Sequence, residues 1–189
     1  MQSVAFENQQ TVMPATSLVG RAEELARITD LLARPDVRLV TLIGPGGVGK
    51  TRLAFQILQD VDRVRFERAH IIFLANAPDA DAILPAIARC LGISQVGAMP
   101  LETLIIDVIG DRPLLLILDN AEHLAEVVRD AVERWLACAP EAQILITSRA
   151  WLGLAAETAF VLHPLSESEA VQLFESHARA LGWSERITP

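Results

Sequence analysis

Short apolar runs alternate with amphipathic runs along most of the chain. Runs such as "LLLIL" at 114–118 are typical of parallel strands that helices cover on both faces. Between them, apolar residues recur at helical spacing, as Leu25, Ile28 and Leu32 do in the first amphipathic run. The pattern predicts strands over residues 37–43, 70–75, 113–119, 142–147 and 159–164.

Helices are predicted between and around these strands. The last one begins with Ser166 and Glu169 in the pattern of a capping box. Strands that alternate with helices indicate an α/β fold, here a three-layer, doubly wound, parallel sheet of five strands. The predicted helices cover residues 22–34, 50–61, 79–92, 100–110, 121–139 and 166–182.

Composition favours one globular domain without membrane association. The chain has 189 residues, of which 51% are hydrophobic and 21% charged. Its mean hydropathy is positive, at +0.33, but the apolar runs are far too short to span a bilayer. The N-terminus has neither the basic nor the long apolar segment of a signal peptide. We expect residues 1–13 to form a flexible tail and residues 14–189 to form the domain.

The net charge and the cysteine content limit which partners the protein could bind and in which cellular compartment it is expected. The formal net charge is −8, which argues against a broad basic face that binds nucleic acid. Cys90 and Cys138 lie far apart and lack the spacing of metal ligands. They are expected to be core thiols of a reduced, cytoplasmic protein.

Lys50, the only lysine, lies in a glycine-rich loop between the first predicted strand and a helix. The stretch "GPGGVGKT" at 44–51 fulfils the P-loop pattern G-x-x-x-x-G-K-[ST] in the context that this pattern requires. It also contains G-x-G-x-x-G, but a dinucleotide site would need an acidic residue after the second strand, where Asn76 stands. The residues predicted to bind the nucleotide here are Gly44, Pro45, Gly46, Gly47, Val48, Gly49, Lys50, Thr51 and Arg52.

The chemistry of phosphate binding explains these residue types. Glycines let successive backbone N–H groups converge on phosphate oxygens, and the helix that follows adds its positive end. The hydroxyl of Thr51 can ligate Mg²⁺ between the β- and γ-phosphates. Lys50 carries a compact ammonium that reaches phosphate oxygens inside a narrow loop, where a planar guanidinium fits poorly.

Acidic residues follow the third predicted strand. Asp119 ends the run "LLLILD", where a carboxylate can hold Mg²⁺. Many NTPases of this architecture place a catalytic acid directly afterwards, but this chain has Asn120, which cannot act as a base. Glu122 is the candidate base, and its alternative role is to begin the next helix favourably against the helix dipole.

Polar residues also end the fourth predicted strand, in "ILITSR". In the usual strand order of this class, 5-1-4-3-2, this strand lies beside the P-loop strand. Arg149 is therefore predicted to reach the γ-phosphate and to distinguish ATP from ADP. Thr147 and Ser148 are expected not to be buried strand residues.

Four stretches together resemble the nucleotide-binding domain of STAND signal-transduction ATPases, and most of all the NB-ARC-like modules of bacterial LuxR-type and antibiotic-regulatory transcriptional regulators. They are "LVGRAEEL", "LIGPGGVGKTRLA", "LLLILDNAEHL" and "ILITSR". The resemblance implies that Val19, Gly20 and Arg21 lie near the adenine and ribose. It assigns residues 44–51 to phosphates and Mg²⁺, Asp119 to Mg²⁺, and Arg149 to the γ-phosphate.

The resemblance also implies neighbouring domains. Such cores continue into a helical subdomain with a "GLPL"-type motif and a winged helix, and this sequence ends before either, as an excised domain would. Binding to DNA is expected only through such absent domains, and self-association is expected in the ATP state.

The sequence thus predicts an ATP/ADP-binding switch with slow Mg²⁺-dependent hydrolysis, from a transcriptional or signal-transduction regulator. Two alternatives stay open: a stand-alone P-loop kinase of small molecules, and a scaffold that binds nucleotide without hydrolysing it.

Overall fold

The computed structural model describes residues 18–61, 65–77, 79–94, 99–110 and 112–182. The predicted tail, residues 1–13, and the last seven residues lie outside this part. The strands are β1 (Leu39–Ile43), β2 (Arg68–Phe73), β3 (Leu114–Asp119), β4 (Ala142–Ser148) and β5 (Glu157–Val161). The helices are α1 (Ala22–Ala33), α2 (Lys50–Asp60), α3 (Ile83–Cys90), α4 (Leu101–Gly110), α5 (Ala125–Cys138) and α6 (Glu167–Ala180).

The five strands form one parallel sheet in the order β2-β3-β4-β1-β5, which confirms the predicted fold and strand order. Three strands end level with one another, because Ile43 pairs with both Ser148 and Val161. Asp119 pairs with Phe73 at the end of the other two strands. The residues after β1, β3, β4 and β5 therefore meet along one edge of the sheet.

Alternate residues of the inner strands enter two separate hydrophobic layers. In β3, Leu114, Leu116 and Leu118 face one layer, while Leu115 and Ile117 face the other. The first layer is covered by α3, α4 and α5, and the second by α1 and α2. All residues of β3 and β4 are buried, as expected for parallel strands between two helical layers.

Several predicted element boundaries were wrong. Strand β2 lies over Arg68–Phe73, and a 3₁₀ turn over Leu74–Asn76 replaces its predicted end. Strand β5 ends at Val161, and beyond it the carbonyl of His163 accepts a bond from an arginine side chain. The helix predicted over 121–139 begins as a 3₁₀ turn, Ala121–Leu124, which follows a left-handed residue, before α5 starts.

Neither cysteine forms a disulfide, but only Cys90 is partly buried, and Cys138 is exposed at the end of α5. The prediction of two core thiols was therefore wrong for Cys138. None of the helices in the described part of the chain is long and apolar enough to cross a membrane.

Candidate functional site

The glycine loop connects β1 to α2 and leaves the first turn of α2 open to a ligand. Gly47 and Gly49 have φ of 78° and 103°, which only glycine adopts readily. No side chain caps α2, and no acidic residue lies in its first turn. A Cβ at Gly47 or Gly49 would meet no heavy atom within 4 Å. Uncapped N–H groups at an open helix start form an anion site.

Lys50 is buried inside this loop, with 9% of its surface exposed. Its Nζ donates to the carbonyls of Gly44 and Pro45, at 2.7 and 3.0 Å. Burial lowers the pKa of Lys50, while the charge of Glu122 raises it. The ammonium is therefore held within the loop by carbonyls that a phosphate oxygen can replace as its partner.

Asp119 is the hub of a buried hydrogen-bond network. The hydroxyl of Thr51 lies 2.9 and 3.0 Å from its two carboxylate oxygens, and the hydroxyl of Thr147 donates to Oδ1 at 2.6 Å. The backbone N–H of Asn120 donates to the Thr147 hydroxyl at 2.9 Å. Burial raises the pKa of Asp119, and the bonds from Thr147 and Thr51 oppose that rise.

The expectation that Thr147 and Ser148 are not buried strand residues was wrong. Both lie in β4 and are 1% exposed. Thr147 is satisfied by Asp119 and Asn120, and the Ser148 hydroxyl accepts from the N–H of Ala150. Their polar atoms therefore have the partners that burial requires.

Oxygen ligands at this site fit Mg²⁺. The hydroxyl of Thr51 and the carboxylate of Asp119 are hard oxygen donors within hydrogen-bond distance of each other. In the part of the chain that the structure describes, no group of three or more His, Cys, Asp or Glu could hold a metal alone. Water and phosphate oxygens would complete such a coordination shell, which is the usual situation of Mg²⁺.

Glu122 and Arg149, both predicted as catalytic, form an ion pair with 2.8 Å between Nε and Oε1. The carboxylate is mostly buried, at 19% exposure, whereas the arginine is 66% exposed. The second oxygen, Oε2, is buried with no hydrogen-bond partner among the described residues. A Cβ at Gly46 would lie 3.7 Å from the guanidinium, so Arg149 lies against the phosphate loop.

A pocket of about 580 Å³ opens beside the glycine loop. Its size is that of a small-molecule site. It contains Val19, Arg21 and Arg52, three of the residues predicted to bind nucleotide. The lining residues are Leu18, Val19, Arg21, Pro45, Gly46, Gly47, Val48, Gly49, Arg52, Pro164, Leu165, Ala170, Leu173 and His177.

Arg21 joins three segments at this pocket. It is 5% exposed, and its Nη2 donates to the carbonyls of Val48 at 3.1 Å and His163 at 2.7 Å. Its Nη1 pairs with Glu24. These bonds tie the entry segment to the glycine loop and to the connection between β5 and α6. Gly20 precedes it at a φ of 69°, and a Cβ there would come within 2.9 Å of the Glu169 side chain.

Two contributions to the site were not predicted from the sequence. One is the bond between Thr147 and Asp119, although the strand order places β4 beside β3. The other is the part of the pocket wall formed by Pro164, Leu165 and the face of α6 that carries Leu173 and His177. The predicted strand order could have indicated these residues. Strand β5 pairs with β1, so the residues that follow β5 must lie beside the glycine loop.

A parallel sheet of this order, with a phosphate-type loop between β1 and the next helix, defines a P-loop NTPase. The chain belongs to the AAA ATPase domain family, which matches residues 17–147. Nucleotide binding and ATP hydrolysis are the general chemistry of that family. The prediction of a P-loop NTPase domain is thereby confirmed.

Curated relatives extend well beyond this chain. An uncharacterized protein of Mycobacterium tuberculosis is 36% identical over 95% of the chain and 45% of its own length. A protein of the same organism, named only as a candidate HTH-type transcriptional regulator, is 39% identical over 75% of the chain and 16% of its own length. The chain therefore spans less than half the length of the curated relatives it matches.

Solved structures share the fold. Cdc6p from Pyrobaculum aerophilum superposes with a TM-score of 0.68 at 18% identity, over 91% of this chain and 52% of that one. A STAND protein with a tetratricopeptide repeat sensor from Pyrococcus horikoshii gives 0.61 at 19% identity, over 94% and 28%. At these identities the likeness concerns the fold alone.

Proposed function

We propose that this domain is an ATP/ADP-binding switch with slow, Mg²⁺-dependent ATP hydrolysis, and that it serves a transcriptional or signal-transduction regulator. The observation that carries the proposal is the convergence of Lys50, Thr51 and Asp119 at the open start of α2. The relative named as a candidate HTH-type regulator supports the regulatory setting.

In this proposal the loop binds the phosphates and the lateral pocket binds the nucleoside. Backbone N–H groups of residues 46–51 and the ammonium of Lys50 contact the β- and γ-phosphates. Thr51 and Asp119 would hold Mg²⁺, which would neutralise charge on the phosphates. Val19 and the apolar side chains of α6 pack against the base. Gly20 lets α6 approach closely, and Arg21 acts mainly by fixing the pocket walls, since its bonds are already made to protein groups.

Slow hydrolysis is proposed because the position directly after Asp119 carries an amide, Asn120, and not a carboxylate. Asn120 occupies the position after Asp119, in a left-handed conformation with φ of 66°. Glu122 has one oxygen bound to Arg149 and one without a protein partner among the described residues. Through the oxygen that has no protein partner, Glu122 remains a candidate base. Through the ion pair, it competes with the γ-phosphate for Arg149.

The competition for Arg149 supplies a physical basis for the switch. Without a γ-phosphate, Arg149 pairs with Glu122 and lies beside Gly46. With ATP, the guanidinium can exchange the carboxylate for γ-phosphate oxygens; with ADP it cannot. A nucleotide shifts a conformational balance only through such differential contacts. Self-association in the ATP state, and DNA binding through domains outside this chain, belong to the same proposal.

Calorimetric titration with ATP and ADP in the presence of Mg²⁺ tests this function. We expect both nucleotides to bind the wild type, and Lys50→Ala to lose about a hundredfold or more in affinity, because a charge-assisted contact is lost inside a buried loop. Lys50→Arg is the matched control, which keeps the charge and changes the geometry. Wild-type binding by Lys50→Ala, or absence of binding by the wild type, would reject the proposal.

Two alternative functions make different predictions about turnover. A small-molecule kinase would release ADP only when a second substrate is present. A non-hydrolysing scaffold would release none. ADP release from Mg²⁺-ATP alone, at a low but nonzero rate that Asp119→Asn abolishes, would exclude both alternatives.

A further inference from the structure

We infer that His177 selects adenine over guanine in the pocket beside the glycine loop. The inference deepens the proposed function and rests on it, since it concerns the base of the nucleotide whose phosphates bind at residues 44–51. It is carried by the hydrogen bond that His177 makes within α6 and by its position in the pocket wall.

The pocket wall offers few polar side chains to a base. Away from the glycine loop it is formed by Leu18, Val19, Pro164, Leu165, Ala170, Leu173 and His177, together with two arginines. Arg21 is committed to backbone carbonyls and Glu24, and Arg52 also has a partner in the structure. An apolar slot with a small number of polar groups is the usual form of a base pocket.

Helix α6 directs three residues of one face into this wall. Ala170, Leu173 and His177 follow each other at spacings of three and four, so they lie along one stripe of the helix. The neighbouring side chains Val171 and Phe174 are exposed and do not line the pocket, whereas His177, although exposed as well, does line it. His177 is therefore the polar end of the stripe that a base would contact.

The ring of His177 has a defined tautomer. Its Nδ1 lies 2.9 Å from the carbonyl oxygen of Leu173, one turn earlier in the helix. A carbonyl oxygen only accepts, so Nδ1 must donate, and in the neutral ring Nε2 is then an acceptor. Nε2 is also the one ring nitrogen left for a ligand.

An acceptor at this place discriminates between the purines. Adenine carries an amino group at position 6, which can donate to Nε2, whereas guanine carries a carbonyl oxygen that would face the lone pair of Nε2 without a proton between them. Nε2 is exposed before binding, but a base bound in the pocket would cover it, and guanine would then leave this acceptor facing another acceptor without a donor. His177 thus favours ATP and ADP over GTP and GDP.

Titration of the chain with ATP, GTP and purine-riboside triphosphate tests this inference. The third nucleotide lacks any group at position 6. We expect the wild type to bind ATP about five- to tenfold more tightly than purine-riboside triphosphate, the size of one hydrogen bond, and to bind GTP more weakly still. In His177→Leu the ATP affinity should fall to that of purine-riboside triphosphate. In His177→Gln, whose amide both donates and accepts, ATP binding should recover while GTP binding improves.

Gln172→Leu is the matched control, since Gln172 is exposed on the same helix and does not line the pocket. It should keep the wild-type order of affinities. An unchanged ratio of ATP to GTP affinity in His177→Leu, with tight ATP binding retained, would overturn the role of His177. Failure of the proposed function is distinguishable, because then the wild type would bind none of the three nucleotides.

Discussion

The two ends of the candidate nucleotide site are built in different ways. The phosphate end, formed by residues 44–51 with Asp119 and Thr147, lies on the sheet edge, and its polar groups are bonded to one another. The base end, formed by residues 18–21, the connection after β5 and α6, depends on a helix in which no residue is buried. The phosphate end is held by its own hydrogen bonds, whereas the base end includes a helix that lines the pocket without being buried in the core.

Because of this difference, we expect the phosphate end to determine nucleotide affinity and the base end to change on binding. Groups that are already ordered lose little entropy on binding, so the phosphate end should provide most of the affinity. A helix without buried residues has little packing of its own to hold it, and such segments open at low cost in free energy. A bound nucleotide would fill the space between α6 and the loop. We therefore expect α6 to respond to the nucleotide and the phosphate end to stay as it is.

The largest expected effect comes from Asp119→Asn at the phosphate end. Loss of the Mg²⁺ ligand should reduce ATP hydrolysis by about a thousandfold or more, as loss of a major electrostatic contribution does. Because burial raises the pKa of Asp119, its ionised form destabilises the fold at neutral pH. Without ligand, the variant should therefore melt at a higher temperature than the wild type.

The stability difference should shrink as the pH falls through the pKa of Asp119, since the protonated carboxyl is then neutral like the amide. Thermal melts across pH and a steady-state assay of ADP release provide both measurements. Asp107→Asn, at an exposed position of α4, is the control and should change neither. Hydrolysis within tenfold of the wild type would remove Asp119 from the metal site.

A smaller effect is expected from Gly20→Ala at the base end. Alanine at a φ of 69° is strained, and its Cβ would come within 2.9 Å of Glu169, which pushes the start of α6 outward. ATP and ADP affinity should each fall by about tenfold. Gly92→Ala has nearly the same φ, 70°, but meets no heavy atom within 4 Å. It should cost similar stability and leave both affinities unchanged; equal losses in the two variants would mean that the strain alone is responsible.

Glu122→Gln tests whether Arg149 exchanges Glu122 for the γ-phosphate when ATP binds. Without the competing carboxylate, Arg149 should be freer to bind the γ-phosphate. ATP affinity should rise about three- to tenfold relative to ADP, a modest effect because the arginine is largely exposed. The same change in an Arg149→Met background should have no effect, as a double-mutant cycle requires for a pairwise role.

The rate of ATP hydrolysis by Glu122→Gln tests separately whether Glu122 is the catalytic base. A loss of a hundredfold or more, with the ATP to ADP ratio unchanged, would make Glu122 the base and refute the competition with Arg149.

The smallest effect is expected from Ser166→Ala. The Ser166 side chain and Glu169 form a capping box at the start of α6. Its loss costs about 1 kcal/mol of helix stability, so α6 should exchange its amide protons faster while phosphate affinity stays within twofold. Ser176→Ala, later in the same helix, is the control. A large loss of affinity for inorganic triphosphate in Ser166→Ala would show that the two ends are not separable.

How far the sequence predicts each end follows from the range of the interactions involved. Residues 44–51 and Asp119 are defined by local patterns, a loop after one strand and an acid after another, so they could be found in the chain alone. Burial of Thr147 depends on a partner that lies 28 positions away in sequence. The role of His177 depends on where α6 packs, which no local pattern determines.

Arg21 is a residue whose position near the site the sequence could indicate, but whose bonding partners it could not. It lines the pocket that the proposed function assigns to the nucleoside. The bonds that occupy its guanidinium reach carbonyls 27 and 142 positions away, at Val48 and His163. A sequence motif can indicate that an arginine is near a ligand, but its partners are set by the tertiary structure.

Hydrogen–deuterium exchange of the wild type, alone and with Mg²⁺-ADP or a non-hydrolysable Mg²⁺-ATP analogue, tests most directly whether one nucleotide spans both ends. We predict that both nucleotides slow exchange at residues 44–53 to a similar extent. Exchange along α6, Glu167–Ala180, should slow with both and differ between them. Protection confined to one of the two ends, or absent from both, would contradict the account.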